Sequence, residues 1–275
     1  DEGHHVFEAA DSAFSAHLSS VEMLELRRWI IGPEKGRRGG GGGGRMRGLE
    51  KRVGDLAARD DKASLALKET QSAALALPAP GWMSRINSGA PQGPGEAFLT
   101  LLRQQVYARA AQPGSPYSLE TEARPAACNP GDGLVEGLLE AAKELEASLA
   151  LLAGPLMSLA THLSRLIDEQ ASDMDSHDRQ RIEAMCRGLA RRAETQVEAW
   201  RSMLTSLREE QPAAFVDWFA VDRSGGRDVD IGFNRHWIDP TLPFIYYVAP
   251  PAHGLLLTSA RLSAPQHHPA ENNHA

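Results

Sequence analysis

The first four residues, Asp1-Glu2-Gly3-His4, match the pattern Asp-Glu-x-His. Two adjacent carboxylates at the tip of a strand can divide the work of phosphoryl transfer. Asp1 would hold a Mg²⁺ ion that bridges nucleotide phosphates, and Glu2 would polarise the attacking water. His4 is suited to transmit changes at the nucleotide to other domains. Acidic pairs are also common on solvated surfaces, so this box alone leaves both interpretations open.

Residues 249–262, near the other end of the chain, have the sequence Ala-Pro-Pro-Ala-His-Gly-Leu-Leu-Leu-Thr-Ser-Ala-Arg-Leu. This segment resembles the one that ends in Thr-Ser-Ala-Thr-Leu in the DinG/XPD-type DNA helicases of superfamily 2. The opening Asp-Glu-Gly-His-His resembles the DEAH box of the same family. Residues 235–244 and the hairpin before them look like the stretch by which that family's chain returns from its helical arch to the first motor domain. The middle of the chain is similar only in its long helices.

By this resemblance, Asp1 would be the Mg²⁺-binding carboxylate of an ATP site, and Glu2 and His4 would serve catalysis. Ser259 and Ala260 would belong to the motif that couples nucleotide state to DNA movement. The parent protein would use ATP and Mg²⁺ to move 5′ to 3′ along single-stranded or forked DNA, as a monomer, in DNA repair or replication. An iron–sulfur cluster of the family would rest on four cysteines preceding residue 1, outside this segment.

Several features depart from a complete motor. Arg261 stands where the family has its final Thr. No Gly-x-x-x-x-Gly-Lys-Ser/Thr phosphate loop and no second motor domain occur among the 275 residues. The chain opens without an initiator Met, so we expect a piece of a longer enzyme that is inactive by itself. The alternative class is a non-enzymatic helical-hairpin interaction module, in which the opening acidic box is a coincidence.

Positive charge is concentrated in one part of an acidic chain. The net charge of -7 argues against general binding of polyanions. Residues 27–52 nevertheless carry nine Lys and Arg against two Glu, a local charge of +7. Six consecutive glycines within 36–45 predict a flexible loop, and no Gly-Lys-Ser/Thr follows that would make it a phosphate loop. The basic residues of this loop could neutralise DNA phosphates, or the loop could be solvated with no partner. The candidate DNA-contacting residues are Arg37, Arg38, Arg45 and Arg47.

The remaining polar residues give no further site. Cys128 and Cys186 are isolated, which argues against a disulfide framework or a four-cysteine metal site. The histidines lack the spacing of metal ligands with a supporting carboxylate, so exposed or core positions are favoured for them. There is no signal peptide, and the longest uncharged run, 147–162, is too short to span a bilayer. We therefore expect a cytoplasmic protein without a membrane partner.

Apolar spacing predicts the elements that must position these residues. Two heptad seams, from Val135 to Leu166 and from Ile182 to Leu207, predict long helices at about 134–169 and 178–209. Because the turn between them is short, they should pack as an antiparallel pair. An internal hairpin core is favoured over a dimerisation zipper because the partner helix is next in the chain. Pro155 should bend the first helix.

Other patterns complete the predicted organisation. Helices are expected at 6–31, 46–77 and 96–111, and loops at 78–95 and 112–133. Strands are expected at 215–222, 228–234, 243–248 and 254–259. The predicted fold is mostly α with a small α/β part, a long arch-type hairpin attached to an incomplete RecA-like motor domain. The predicted divisions are 1–31 (motor), 32–212 (insertion), 213–263 (returning motor strands) and 264–275 (disordered tail).

Overall fold

The computed structural model describes residues 5–33, 48–123, 133–169, 174–209 and 213–256. Within these ranges the chain is mostly helical and carries one four-stranded antiparallel sheet. The predicted class, mostly α with a small strand-containing part, is confirmed in that coarse form. The predicted tail at 264–275 lies outside the described residues.

The helices and strands are distributed along the whole described chain. The helices are α1 (His5–Phe14), α2 (Ser20–Ile31), α3 (Glu50–Ala57), α4 (Asp61–Ala73), α5 (Trp82–Asn87), α6 (Gly93–Arg109), α7 (Leu138–Glu169), α8 (Ser176–Arg191), α9 (Glu198–Ser206) and α10 (Thr241–Pro243). The strands are β1 (Ala16–Ser19), β2 (Leu119–Glu122), β3 (Phe215–Ser224) and β4 (Arg227–Trp237), in the sheet order β1-β4-β3-β2. A 3₁₀ turn occupies Ala74–Ala76, and π-helical turns occupy Arg192–Val197 and Phe244–Val248.

The helix α7 and the segment from α8 to α9 form the predicted antiparallel hairpin. Arg179 near the start of α8 lies 3.7 Å from Asp168 at the end of α7. Arg201 in α9 lies 2.9 Å from Glu146 near the start of α7, so the contacts run in opposite directions along the two arms. The central members of the seam that the heptads predict are buried, each being at most 1% exposed. These members are Leu145, Leu152, Leu159, Leu189, Ala193 and Trp200.

The hairpin core is larger than two helices, because α7 also packs against α4 and α6. Leu138–Glu169 is, among the described residues, the single helix long and apolar enough to cross a membrane by length and composition. Its apolar stripe is buried in this core, and core helices of soluble proteins have the same length and composition. The helix continues through Pro155. The second arm is interrupted by the π-helical turn at Arg192–Val197, which the heptad spacing does not predict.

Two strands lie where the sequence predicted other structure. The predicted helix 6–31 is wrong in its middle, where β1 separates α1 from α2. β1 pairs with β4, and Leu18 is fully buried there, so tertiary pairing overrides the helical spacing of the flanking residues. The predicted loop 112–133 contains β2, which pairs with β3 at the far edge of the sheet.

Capping and turn geometry account for two smaller corrections. The predicted helix 46–77 is divided into α3 and α4, because the Asp60 side chain accepts hydrogen bonds from the amides of Lys62 and Ala63 and starts a new helix. The predicted linker 78–95 contains the short helix α5. Its conformation is held by buried Glu96, which accepts hydrogen bonds from the backbone amides of Ala79 and Gln92 and from the Arg85 guanidinium.

The chain divides into two compact units. Unit 1 comprises 1–15, 214–216 and 236–275, and unit 2 comprises 16–213 and 217–235. In unit 1, Phe7 of α1 meets Phe244 edge to face, and Phe14 stacks on Tyr247 with ring centroids 5.2 Å apart. Unit 2 holds the helical hairpin, α2 to α6 and most of the sheet.

The strand prediction for 243–248 is wrong, because these residues form α10 and the π-helical turn that follows it. Their helical backbone directs Phe244 towards α1 and leaves Tyr246 and Tyr247 59% exposed. The predicted buried strand at 254–259 is not formed by its described part. Leu255 and Leu256 belong to no strand and are 53% and 86% exposed.

The buried seam of α7 provides a direct test of the packing. We expect Leu152→Ala to lower the free energy of unfolding by roughly 2–5 kcal/mol, because it removes a side chain that is 1% exposed and leaves a cavity. Leu151→Ala is the matched control, since Leu151 is 71% exposed on the same helix. Urea denaturation followed by circular dichroism measures both. Equal effects of the two substitutions would contradict this packing.

Candidate functional site

The residues assigned to an ATP site by resemblance lie outside the described residues. These are Asp1, Glu2, His4, Ser259 and Ala260. The structure describes the segments next to them. α1 begins at His5, directly after the acidic box, and its exposed Glu8 accepts a hydrogen bond from the His5 ring at 3.2 Å. The expected coordination of Mg²⁺ by Asp1 therefore stays a prediction.

Unit 1 brings together the segments that adjoin the two motifs. His236 lies near the end of β4 and is the first residue of unit 1 after the chain leaves unit 2. Its Nδ1 atom lies 2.8 Å from Oδ2 of Asp11 in α1. The ring contacts of Phe7 with Phe244 and of Phe14 with Tyr247 join the same two segments. Residues near opposite ends of the chain are thus held in one unit by an aromatic cluster and a polar contact.

The strand arrangement expected beside these motifs is not seen in the described chain. The pairs whose register is defined, β1 with β4 and β2 with β3, are antiparallel. Described residues 254–256 contribute no strand. Among the described residues there is consequently no parallel sheet edge of the kind at which a RecA-like motor binds nucleotide.

The arginine- and glycine-rich segment begins and ends at a stem in unit 2. The amide of Leu49 donates to the carbonyl of Ile30 at 2.9 Å. Gly32 has φ +94°, which favours glycine, and it meets Gly48 across the stem. A Cβ atom at Gly48 would lie 2.3 Å from the carbonyl oxygen of Ile31, so glycine is required for this close approach. The predicted DNA-contacting residues of the segment lie outside the described residues: Arg37, Arg38, Arg45 and Arg47.

Three residues from distant parts of the sequence form a basic cluster at this stem. The Arg192 guanidinium carbon lies 3.9 Å from the centroid of the Trp29 ring, and that of Arg52 lies 5.8 Å from it. Such cation–π contacts contribute from about 0.5 to about 2 kcal/mol, depending on desolvation. Gly188 lies beside the stack, since a Cβ atom there would be in ordinary contact with Arg192 Nη1 at 3.4 Å and with Trp29 Cζ2 at 3.7 Å. We call Trp29, Arg52 and Arg192 the stem cluster.

The charges of the stem cluster have no anionic partner among the described residues. Arg192 donates one hydrogen bond, to the carbonyl of Gly188 at 3.1 Å, and neither it nor Arg52 forms an ion pair there. Burial lowers the pKa of Arg52. Burial, together with the charges of Arg191 and Arg52, lowers the pKa of Arg192. Sequence reasoning missed this cluster because nothing in the spacing links residues 29, 52 and 192.

A concave region, which we call the polar groove, lies on the polar face of the sheet in unit 2. It encloses about 250 Å³, and its lining includes His17, Glu22, Asp222, Asp230 and Asn234. His17 Nδ1 lies 2.9 Å from Asn234 Oδ1, across the β1–β4 pair. Asp230 accepts hydrogen bonds from the backbone amide of Ile231 at 2.8 Å and from that of Val21 in α2 at 3.1 Å. The described residues contain no group of three or more His, Cys, Asp or Glu side chains that could hold a metal ion.

Comparison of the chain with protein-family models, curated proteins and solved structures gave no significant match. Function is therefore proposed from the sequence motifs and from the geometry of the two units.

We expect the polar groove to make stability depend on pH, through Glu22. Burial raises the pKa of Glu22, and Asp230 and Glu25 raise it further, against the opposing effects of His17 and a hydrogen bond to Gln196. A carboxyl with a raised folded-state pKa stabilises the fold when protonated, and that contribution is lost as pH rises through the folded pKa. We therefore expect Glu22→Gln to be more stable than the unsubstituted chain at pH 8. The difference should shrink as pH falls towards the ordinary value of 4.5.

Chemical denaturation at a series of pH values measures this difference. Glu25→Gln, on the same helix and exposed, is the matched control and should show no such pH-dependent gain. The expectation is contradicted if Glu22→Gln is less stable than the unsubstituted chain at pH 8, or if its effect on stability is the same at every pH. Either result would show that the groove does not destabilise ionised Glu22.

Proposed function

We propose that the chain is part of an ATP-dependent DNA helicase similar to the DinG/XPD type. In this proposal unit 1 belongs to the first motor domain and unit 2 is an insertion within it, which extends the predicted insertion 32–212 to include residues 16–31 and 217–235. The observation that carries the proposal is the pairing of Ala16 with Arg235 in β1 and β4. These residues mark the points at which the chain enters and finally leaves unit 2. An insertion with adjacent entry and exit points can be accommodated by a host domain without separating the host's own segments.

The sequence motifs supply the chemistry of the proposal. Asp1 offers the hard oxygen ligand that Mg²⁺ prefers, and Glu2 is the carboxylate that would polarise the attacking water. His4 takes the catalytic role, and Ser259 and Ala260 the coupling roles, that the resemblance implies. The two motifs adjoin segments of unit 1 that contact each other, which supports a common site for them. ATP and Mg²⁺ would be the cofactors, and single-stranded or forked DNA the partner.

The 275 residues by themselves should not hydrolyse ATP above background. Phosphoryl transfer depends mainly on positioning and on charge stabilisation of the phosphates, and much of this comes from a phosphate loop and a second motor domain. Neither motif is present in this sequence. The proposed activity therefore belongs to the intact gene product that contains the chain.

The test is the DNA-stimulated ATPase activity of that intact protein. Glu2→Gln should lower turnover by about 10²-fold or more, the usual contribution of a catalytic acid or base, while leaving ATP binding in place. Glu8→Gln is the matched control, because Glu8 is a nearby exposed glutamate on α1 and should not affect turnover. The 275-residue chain, assayed in parallel, should show no activity.

Two results would overturn the proposal. One is an intact protein without DNA-stimulated ATP hydrolysis, which would favour a helical-hairpin interaction module. The other is an ATPase whose turnover is unaffected by Glu2→Gln, which would remove the acidic box from the active site.

A further inference from the structure

The stem cluster holds two like charges close to one ring without a counterion among the described residues. Two guanidinium groups share the buried Trp29 ring, and each is withdrawn in part from water. Arg191, adjacent in sequence to Arg192, adds a third positive charge, which helps to lower the pKa of Arg192. Buried charges in folded proteins are normally paired, because removing an ion from water is costly. No carboxylate among the described residues pairs with Arg52 or Arg192.

We propose that Trp29, Arg52 and Arg192 form a binding site for a phosphate group of a single-stranded nucleic acid. A guanidinium group presents planar, paired N–H donors that match phosphate oxygens and remains charged at any physiological pH. Trp29 orients the Arg192 guanidinium by stacking. The N–H groups of Arg192 that do not donate to the carbonyl of Gly188 can then donate to an anion. A bound anion would also offset the repulsion that the charge of Arg52 exerts on Arg192.

The position of the cluster favours a polymer over a free anion. Trp29 precedes the arginine- and glycine-rich segment and Arg52 follows it, on either side of the stem closed by Gly32 and Gly48. That segment and its flanks carry a local charge of +7 in a chain whose net charge is -7. Several positive charges in succession suit a ligand with several phosphates in succession, since each neutralised phosphate releases counterions.

The inference does not require that the chain belong to an ATPase. A purely structural role for the cluster is the competing explanation, in which the arginines serve only to cover Trp29. The two explanations differ in a measurable way. Loss of a structural stack changes stability without changing the salt dependence of DNA binding, whereas loss of a phosphate contact lowers that dependence.

The experiment measures binding of fluorescein-labelled oligothymidylate to the 275-residue chain by anisotropy over a range of salt concentrations. For single strands the slope of log K against log salt is about -0.7 per phosphate contact. Arg52→Gln and Arg192→Gln should each make the slope shallower by about 0.7 and weaken binding about tenfold at ~50 mM salt. Arg192→Lys, which keeps the charge, should retain most of the slope even if the stack on Trp29 is weakened.

Arg179→Gln is the matched control in α8, the helix that leads into the turn carrying Arg192, because Arg179 already pairs with Glu183 at 2.8 Å. It should leave both affinity and slope unchanged. The inference is overturned if Arg52→Gln and Arg192→Gln bind with the slope of the unsubstituted chain, or if Arg179→Gln loses as much. The polymer assignment is overturned if the unsubstituted chain binds inorganic phosphate as tightly as it binds the oligonucleotide, with chloride at equal ionic strength as the reference.

Discussion

The pairing of β1 with β4 is the contact on which the rest of unit 2 depends. It joins His17 to Asn234, residues 217 positions apart in sequence, and so closes nearly the whole described chain into one loop. Loop closure of this length carries an entropic penalty that must be offset by specific packing. Leu18 and Phe233 are opposite one another and fully buried, and the Trp200 indole donates to the carbonyl of His17 at 2.7 Å. The sheet edge is thereby fixed to the helical hairpin.

A buried ion pair at the same end of the sheet reinforces this closure. Arg235 donates to both carboxylate oxygens of Asp217, at 2.7 and 2.6 Å, and to the hydroxyl of Ser206. Arg235 is the last residue of unit 2, and its hydrogen bonds connect β4 to Asp217 in β3 and to Ser206 at the end of α9. The point at which the chain leaves the insertion is therefore determined by side chains as well as by backbone pairing. A fixed exit beside a fixed entry is what relates the geometry of unit 2 to the proposed helicase insertion.

The parts of the fold that the sequence predicted are those governed by local periodicity. Heptad spacing located α7 and the arm from α8 to α9, and alternation located β3 and β4. Prediction failed where a distant partner decides the conformation. β1 is a strand only because β4 is beside it, and residues 244–248 are helical because their aromatic side chains pack on α1 rather than within a sheet. The stem cluster likewise requires three chain segments to meet, which no spacing rule reveals.

We propose that the acidic box and the Ser-Ala motif belong to one nucleotide site. The most direct measurement is the distance between Glu2 and Ser259 in an experimental structure of the intact protein with Mg²⁺ and a non-hydrolysable ATP analogue. The account predicts that their Cα atoms lie within about 10 Å, roughly two strand spacings, at one edge of a parallel sheet facing the nucleotide. Separation of these residues on opposite sides of the helical insertion, with nucleotide bound to neither, would contradict it.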